Sequence, residues 1–218
     1  MRRSVGLALV AILMSGCFFG ATTILEYRYY VLDYPPTSER ARQSSEPWDA
    51  NLLVRNFPIG EAYLRSEIVF RSSTQEIRYR PKDRWAVRPD HVVSDMARKH
   101  LVDSRLFHSV QSQYEENQPD YELKGRVIAL EEYIEGPSHS AHLDLRLEFV
   151  RITDNQVLWQ REYDAFEPVS DDNRAALVLT LSGMLRSRMD STVTAIDSVM
   201  AGMPSGIRRQ LSQRAQPR

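Results

Sequence analysis

Between Ala141 and Phe149 every odd position is apolar (Ala141, Leu143, Leu145, Leu147, Phe149), and the even positions are filled by His142, Asp144, Arg146 and Glu148. A two-residue period puts one set on each face of a strand, so this segment predicts a β-strand with one face on a core and the other in water. Its neighbours carry the same pattern. Tyr121, Leu123 and Val127 precede it, with Gly136-Pro137 as the exit, and Val157, Trp159 and Tyr163 follow a turn centred on Asp154-Asn155. Both turn residue types tolerate the left-handed backbone that hairpins need. Three antiparallel strands in succession, a meander, are therefore expected between Tyr121 and Phe166.

Helical periodicity flanks this block. Pro89-Asp90 opens a stretch in which Val92, Val93, Met96, Ala97 and Leu101 recur every three or four residues, which predicts a helix stopping near Ser104. From Asp171 to about Met200, Leu177, Leu181, Met184, Leu185, Met189, Val193, Ile196 and Met200 make a second stripe. The Asp171-Asp172 pair favours the positive start of that helix. The methionine-rich side suits core packing, with a groove for acyl chains or a partner helix as the alternative. Elsewhere, Tyr27 to Asp33 and Leu52 to Phe57 predict strands, residues 37 to 49 a loop, and Tyr63 to Arg71 with Glu76 to Arg80 a hairpin. Leu106, Phe107 and Val110 make a short strand, followed by a turn at Asn117-Gln118-Pro119-Asp120. The expected class is α+β: a mainly antiparallel sheet with two amphipathic helices packed against one face.

Charge excludes one class of function. Twenty-eight Lys and Arg stand against 29 Asp and Glu, a net charge of -1, so no global field exists to draw nucleic acid.

The N-terminus constrains location. Arg2 and Arg3 precede an apolar run, Val5 to Met14, that is too short to cross a bilayer as a helix. The run ends in Met14-Ser15-Gly16 before Cys17, the chain's only cysteine, and this resembles the lipobox of bacterial lipoprotein precursors. The resemblance implies that residues 1 to 16 are a signal peptide, that Cys17 is lipidated, and that residues 17 to 26 tether a periplasmic domain over residues 27 to 200. Several acyl chains make such attachment effectively permanent. Phe18 in place of the Asp that retains enteric lipoproteins at the inner membrane implies the outer membrane. Residues 201 to 218, with Arg208, Arg209, Arg214 and Arg218, form a basic tail expected to be flexible.

No chemical constellation stands out. His139 and His142 are three apart on a strand and point to opposite faces, so they cannot share a metal. His91 and His100 diverge around a helix. His91 and Asp95 share a face and suit either a base with its orienter or an exposed ion pair. Glu131-Glu132 are adjacent and cannot converge. No Gly-x-Ser-x-Gly elbow, Walker loop or His-Glu-x-x-His occurs. No cofactor or metal is expected, and no enzyme activity. Tyr27, Tyr29, Tyr30 and Trp85 are candidates for a partner-binding surface, the alternative being closure of the core around an edge strand.

Tyr29-Tyr30-Val31-Leu32 soon after the cysteine, Ile77-Arg78-Tyr79, Trp85-Ala86-Val87-Arg88-Pro89 opening a helix, Leu106-Phe107-Val110 and Tyr121-Glu122-Leu123-Lys124-Gly125-Arg126-Val127 occur in an order similar to that of the ABC-type transport auxiliary lipoprotein family. The resemblance runs from about Tyr27 to Ala195. It implies a lipid-anchored periplasmic accessory of an intermembrane lipid transport system that contains an MCE (mammalian cell entry) domain protein and an ABC transporter or related permease in the inner membrane, with this chain docking the periplasmic MCE assembly to the outer membrane. A ring-like homo-oligomer matches the symmetry of MCE rings. Two other readings stay open at this point: a different outer-membrane accessory lipoprotein, such as an activator of peptidoglycan synthesis or a lipopolysaccharide-assembly subunit, and a periplasmic hydrolase.

Overall fold

The computed structural model describes residues 26–35, 46–115, 117–170 and 173–203. Among the described residues are eight strands and two α-helices: β1 (Arg28–Tyr30), β2 (Trp48–Leu53), β3 (Glu67–Arg71), β4 (Ile77–Trp85), α1 (Pro89–Ser104), β5 (Phe107–Gln111), β6 (Tyr121–Glu135), β7 (Ser138–Arg151), β8 (Gln156–Pro168) and α2 (Arg174–Gly202).

The meander is present. β6 pairs antiparallel with β7 along its whole length, and β7 with β8. Both hairpins turn through a left-handed residue, Gly136 at φ 59° and Asn155 at φ 53°, a conformation that glycine and asparagine enter most easily. The odd residues Ala141 to Phe149 are all buried. They pack on the two helices, α2 lying over β7 and β8 while α1 lies over β5 and β6 and touches α2. Every residue of both predicted helical stripes is in this core, the methionines of α2 included. The α+β class expected from the sequence is the observed one.

The far edge of β6 is divided. Its first residues pair in parallel with β2, which carries β5 beyond it, and its last residues pair in parallel with β3, which carries β4 and then β1. Between them only Ile59 bridges to Val127. The antiparallel ladders hold most of the paired residues, but β1, β2, β3 and β5 each enter through a parallel pairing. No local pattern announced those pairings.

Several expected boundaries move. β1 is three residues long rather than Tyr27 to Asp33, because beyond Tyr30 the chain leaves the edge and sends Leu32 into the core, where Asp33 N–H reaches Ser182 Oγ on α2 at 3.3 Å. The second strand begins at Trp48 rather than Leu52, so the expected loop is corrected at its end. Trp48 Nε1 donates to Asp197 of α2 at 2.8 Å, and Ala50, Asn51, Leu52 and Leu53 of β2 are all buried. In the hairpin β3 starts at Glu67 and β4 runs to Trp85, with an irregular register that contains Pro81, which lacks the ladder N–H. α1 spans Pro89 to Ser104 as expected and ends through a left-handed Arg105. The signal segment, Cys17, Asp171-Asp172 and the tail from residue 204 lie outside the described residues.

Candidate functional site

The bulge between Val127 and Ala129 on β6 sets where the two glutamates fall. Glu132 stands opposite Ala141 and shares the helix-covered face, while Glu131 stands opposite His142 on the outer face. Both carboxylates are 1% exposed, and a buried charge must be matched. Glu131 accepts from Tyr63 Oη (2.8 Å), Arg71 Nε (2.8 Å) and His142 Nδ1 (2.9 Å). The other nitrogen of His142 meets Asp164 at 3.0 Å, and Phe166 stacks on the ring at 4.0 Å. Glu132 is held by Arg80 Nη2 (2.7 Å), His139 Nδ1 (2.6 Å) and Arg174 at the start of α2.

These partners set the protonation states. Burial alone would raise the pKa of both glutamates, but the hydrogen bonds and cations around them hold both below the usual carboxylate value. Burial would lower His142; its two carboxylate partners outweigh this and hold it above its ordinary value. Both glutamates are thus spent as acceptors and carry no proton to give near neutral pH.

The remaining histidines are dispersed. His139 and His142 diverge, as expected. His91 is exposed, its Nδ1 3.0 Å from Asn56 Nδ2 and its Nε2 3.8 Å from Asp90, while Asp95 pairs with Arg98 at 2.7 Å. The expected His91 and Asp95 pair is therefore absent, because the permanently charged Arg98 one turn away takes the carboxylate. His100 is buried beside Tyr34, and burial lowers its pKa. Among the described residues no group of three His, Cys, Asp or Glu could hold a metal ion.

The aromatic candidates separate. Trp85 is 3% exposed and belongs to the core, so it offers no surface to a partner. Tyr30 is half-buried against the core, its hydroxyl 3.4 Å from Asp83. Tyr29 on the edge strand is 62% exposed, Tyr27 and Val31 just outside the strand are exposed beside it, and Arg84 lies over the Tyr27 ring at 4.1 Å. Among the described residues at this corner, Tyr27 and Tyr29 present aromatic surface to solvent.

One feature escaped the sequence. On the outer face of β6 and β7 a cavity of about 540 Å³ is lined by Arg55, Glu122, Lys124, Arg126, Arg146 and Glu148 over Phe57 and Gly125. Lys124 and Arg126 are visible as alternating cations, but the register that puts Arg126 opposite Arg146 is not.

No helix among the described residues is long and apolar enough to cross a membrane. The family model described as ABC-type transport auxiliary lipoprotein component matches residues 30–191. The sequence has no match among curated proteins. Among solved structures, a Xanthomonas campestris protein assigned to the family model DUF330 is 18% identical, with a TM-score of 0.69 covering 80% of this chain and 97% of that one. Another, an uncharacterized protein, is 13% identical, with a TM-score of 0.62 over 78% of this chain and 99% of that one. At these identities the likeness is one of fold.

Proposed function

Because the chain belongs to the family of ABC-type transport auxiliary lipoprotein components, we propose that it is a non-catalytic adaptor, anchored to the outer membrane through lipid on Cys17, that docks the periplasmic MCE assembly of an ABC-type lipid transport system to that membrane. The observation that carries this reading is the family match over residues 30–191. The geometry is compatible with it: the buried carboxylates Glu131 and Glu132 are saturated by their own partners, so in this reading the contribution of the domain is position and contact rather than reaction. The exposed outward side of β1, centred on Tyr29, is the partner surface in this reading, with Tyr30 and Trp85 fixing the strand from beneath. A homo-oligomeric ring supplies the symmetry to meet an MCE ring.

The test is co-purification from membranes with the full chain as bait. The adaptor reading expects an MCE-domain protein and its permease, with recovery reduced by Tyr29→Ala. Recovery of a cell-wall synthase or a lipopolysaccharide-assembly component instead would transfer the chain to another class of accessory. Cys17→Ala should leave a folded domain that no longer sediments with membranes; continued tight association would remove the anchor from the account.

A further inference from the structure

The strand register places Arg126 of β6 directly opposite Arg146 of β7. Both are exposed, and both share the outer face, because their neighbours Val127 and Leu145 point into the core. Like charges directly opposite one another oppose strand pairing, and elsewhere in this cavity the chain avoids the conflict. Arg55 is bound to Glu122 at 2.6 and 2.8 Å, and Lys124 stands opposite Glu148. Arg146 reaches Glu162 on the far side through Nε at 3.3 Å. Among the described residues Arg126 has no ion-pair partner. Arg126 therefore brings a positive charge without an ion-pair partner, and Arg146 one shared with Glu162, to the rim of a cavity of about 540 Å³, a volume within the ordinary range of small-molecule sites.

We propose that this cavity binds a phosphate-bearing anion between Arg126 and Arg146. Planar guanidinium forks match phosphate oxygens in pairs, which a single ammonium cannot do. The volume exceeds what inorganic phosphate fills, and exposed Pro58 lines the cavity beside the charged groups. The ligand class is thus a phosphate ester with a small organic substituent, whether a free ester or the headgroup of a phospholipid. The inference stands apart from the adaptor reading: a failure to recover an MCE partner leaves it untouched.

Calorimetric titration of the full chain in non-ionic detergent, in a phosphate-free buffer of about 100 mM salt, tests it with three probes: inorganic phosphate, glycerol 3-phosphate and dihexanoyl phosphatidylglycerol. At least one ester should bind saturably at one site, and Arg126→Gln and Arg146→Gln should each weaken it by about tenfold or more. Dihexanoyl phosphatidylglycerol binding about tenfold tighter than glycerol 3-phosphate would identify a lipid headgroup, and equal or weaker binding a free ester. Without ligand, each variant should melt no lower than wild type, since the opposition is relieved. The proposal is overturned if no probe saturates, if binding survives both substitutions, or if both variants melt well below wild type, which would make the arginines structural.

Discussion

Glu131 and Glu132 are consecutive residues of β6, yet their carboxylates lie on opposite faces of the sheet and are held by two sets of partners with no member in common. Alternation of the strand makes that separation obligatory. Glu132 ties the start of α2 to β4 and β7; Glu131 ties β3 and the Tyr63 turn to β7 and, through His142, to β8. Each links parts of the chain that approach only when the sheet is complete.

Removing the charge at Glu132 leaves Arg80, His139 and Arg174 around a neutral group. Glu132→Gln should therefore destabilise the domain by about 3 kcal/mol, measured by urea unfolding. Arg78→Ala, which breaks a half-exposed pair with Glu76, should cost less than about 0.5 kcal/mol. Equal losses would contradict the distinction.

The same clusters set a pH window. The pKa values of Glu131 and Glu132 are lowered from 4.5, so their contribution is present above that value and is lost as pH falls through their folded-state values. His142 is raised from 6.5, so its contribution is complete below 6.5 and is lost as pH rises through its folded-state value. The difference in unfolding free energy between wild type and His142→Gln should shrink as pH rises above 6.5. A difference that stays constant with pH would mean His142 does not exchange its proton on unfolding.

Asp144 is set against its neighbours. It stands opposite Asp164 on β8, and its buried Oδ1 has no hydrogen-bond partner among the described residues. Burial and the charges of Asp164 and Glu162 push its pKa up from 3.8. The ionised native state is thereby penalised, so Asp144→Asn should stabilise the domain at pH 7 by about 0.5 to 1 kcal/mol. The gain should vanish as pH falls below 3.8, where the wild-type residue is protonated in both states. Thermal melts at neutral and acid pH read both parts.

Gly125 is the position where the ring of Phe57 lies against β6. A Cβ there would meet the Phe57 ring at 2.5 Å, and Phe57 is a core residue, 1% exposed, so the ring or the strand must shift. Gly125→Ala should cost about 1 to 3 kcal/mol, and combining it with Phe57→Leu should cost less than the two losses added together. Additive losses would show that the ring and the strand are not in the contact described.

The sequence alone determined the elements whose pattern is local. Alternation between Ala141 and Phe149 gave the meander, and three- and four-residue spacing gave both helices, α1 to its terminal residues, because side-chain direction in a strand or helix repeats with a fixed period whatever surrounds it. The same rule separated His139 from His142 and Glu131 from Glu132. Tertiary structure decided the rest. Trp48 and Ala50 sit in a strand despite the polar residues between and after them, since packing under α2 outweighs local composition. Trp85 left the surface candidates because β4 runs on to it and the core closes over it. The meeting of Tyr63, Arg71 and His142 at one carboxylate, of Arg80, His139 and Arg174 at the other, and of Arg126 with Arg146 across a ladder, follows from strand register and parallel pairings between distant segments. Those depend on how the whole apolar surface is best buried, a quantity that no short window of residues contains.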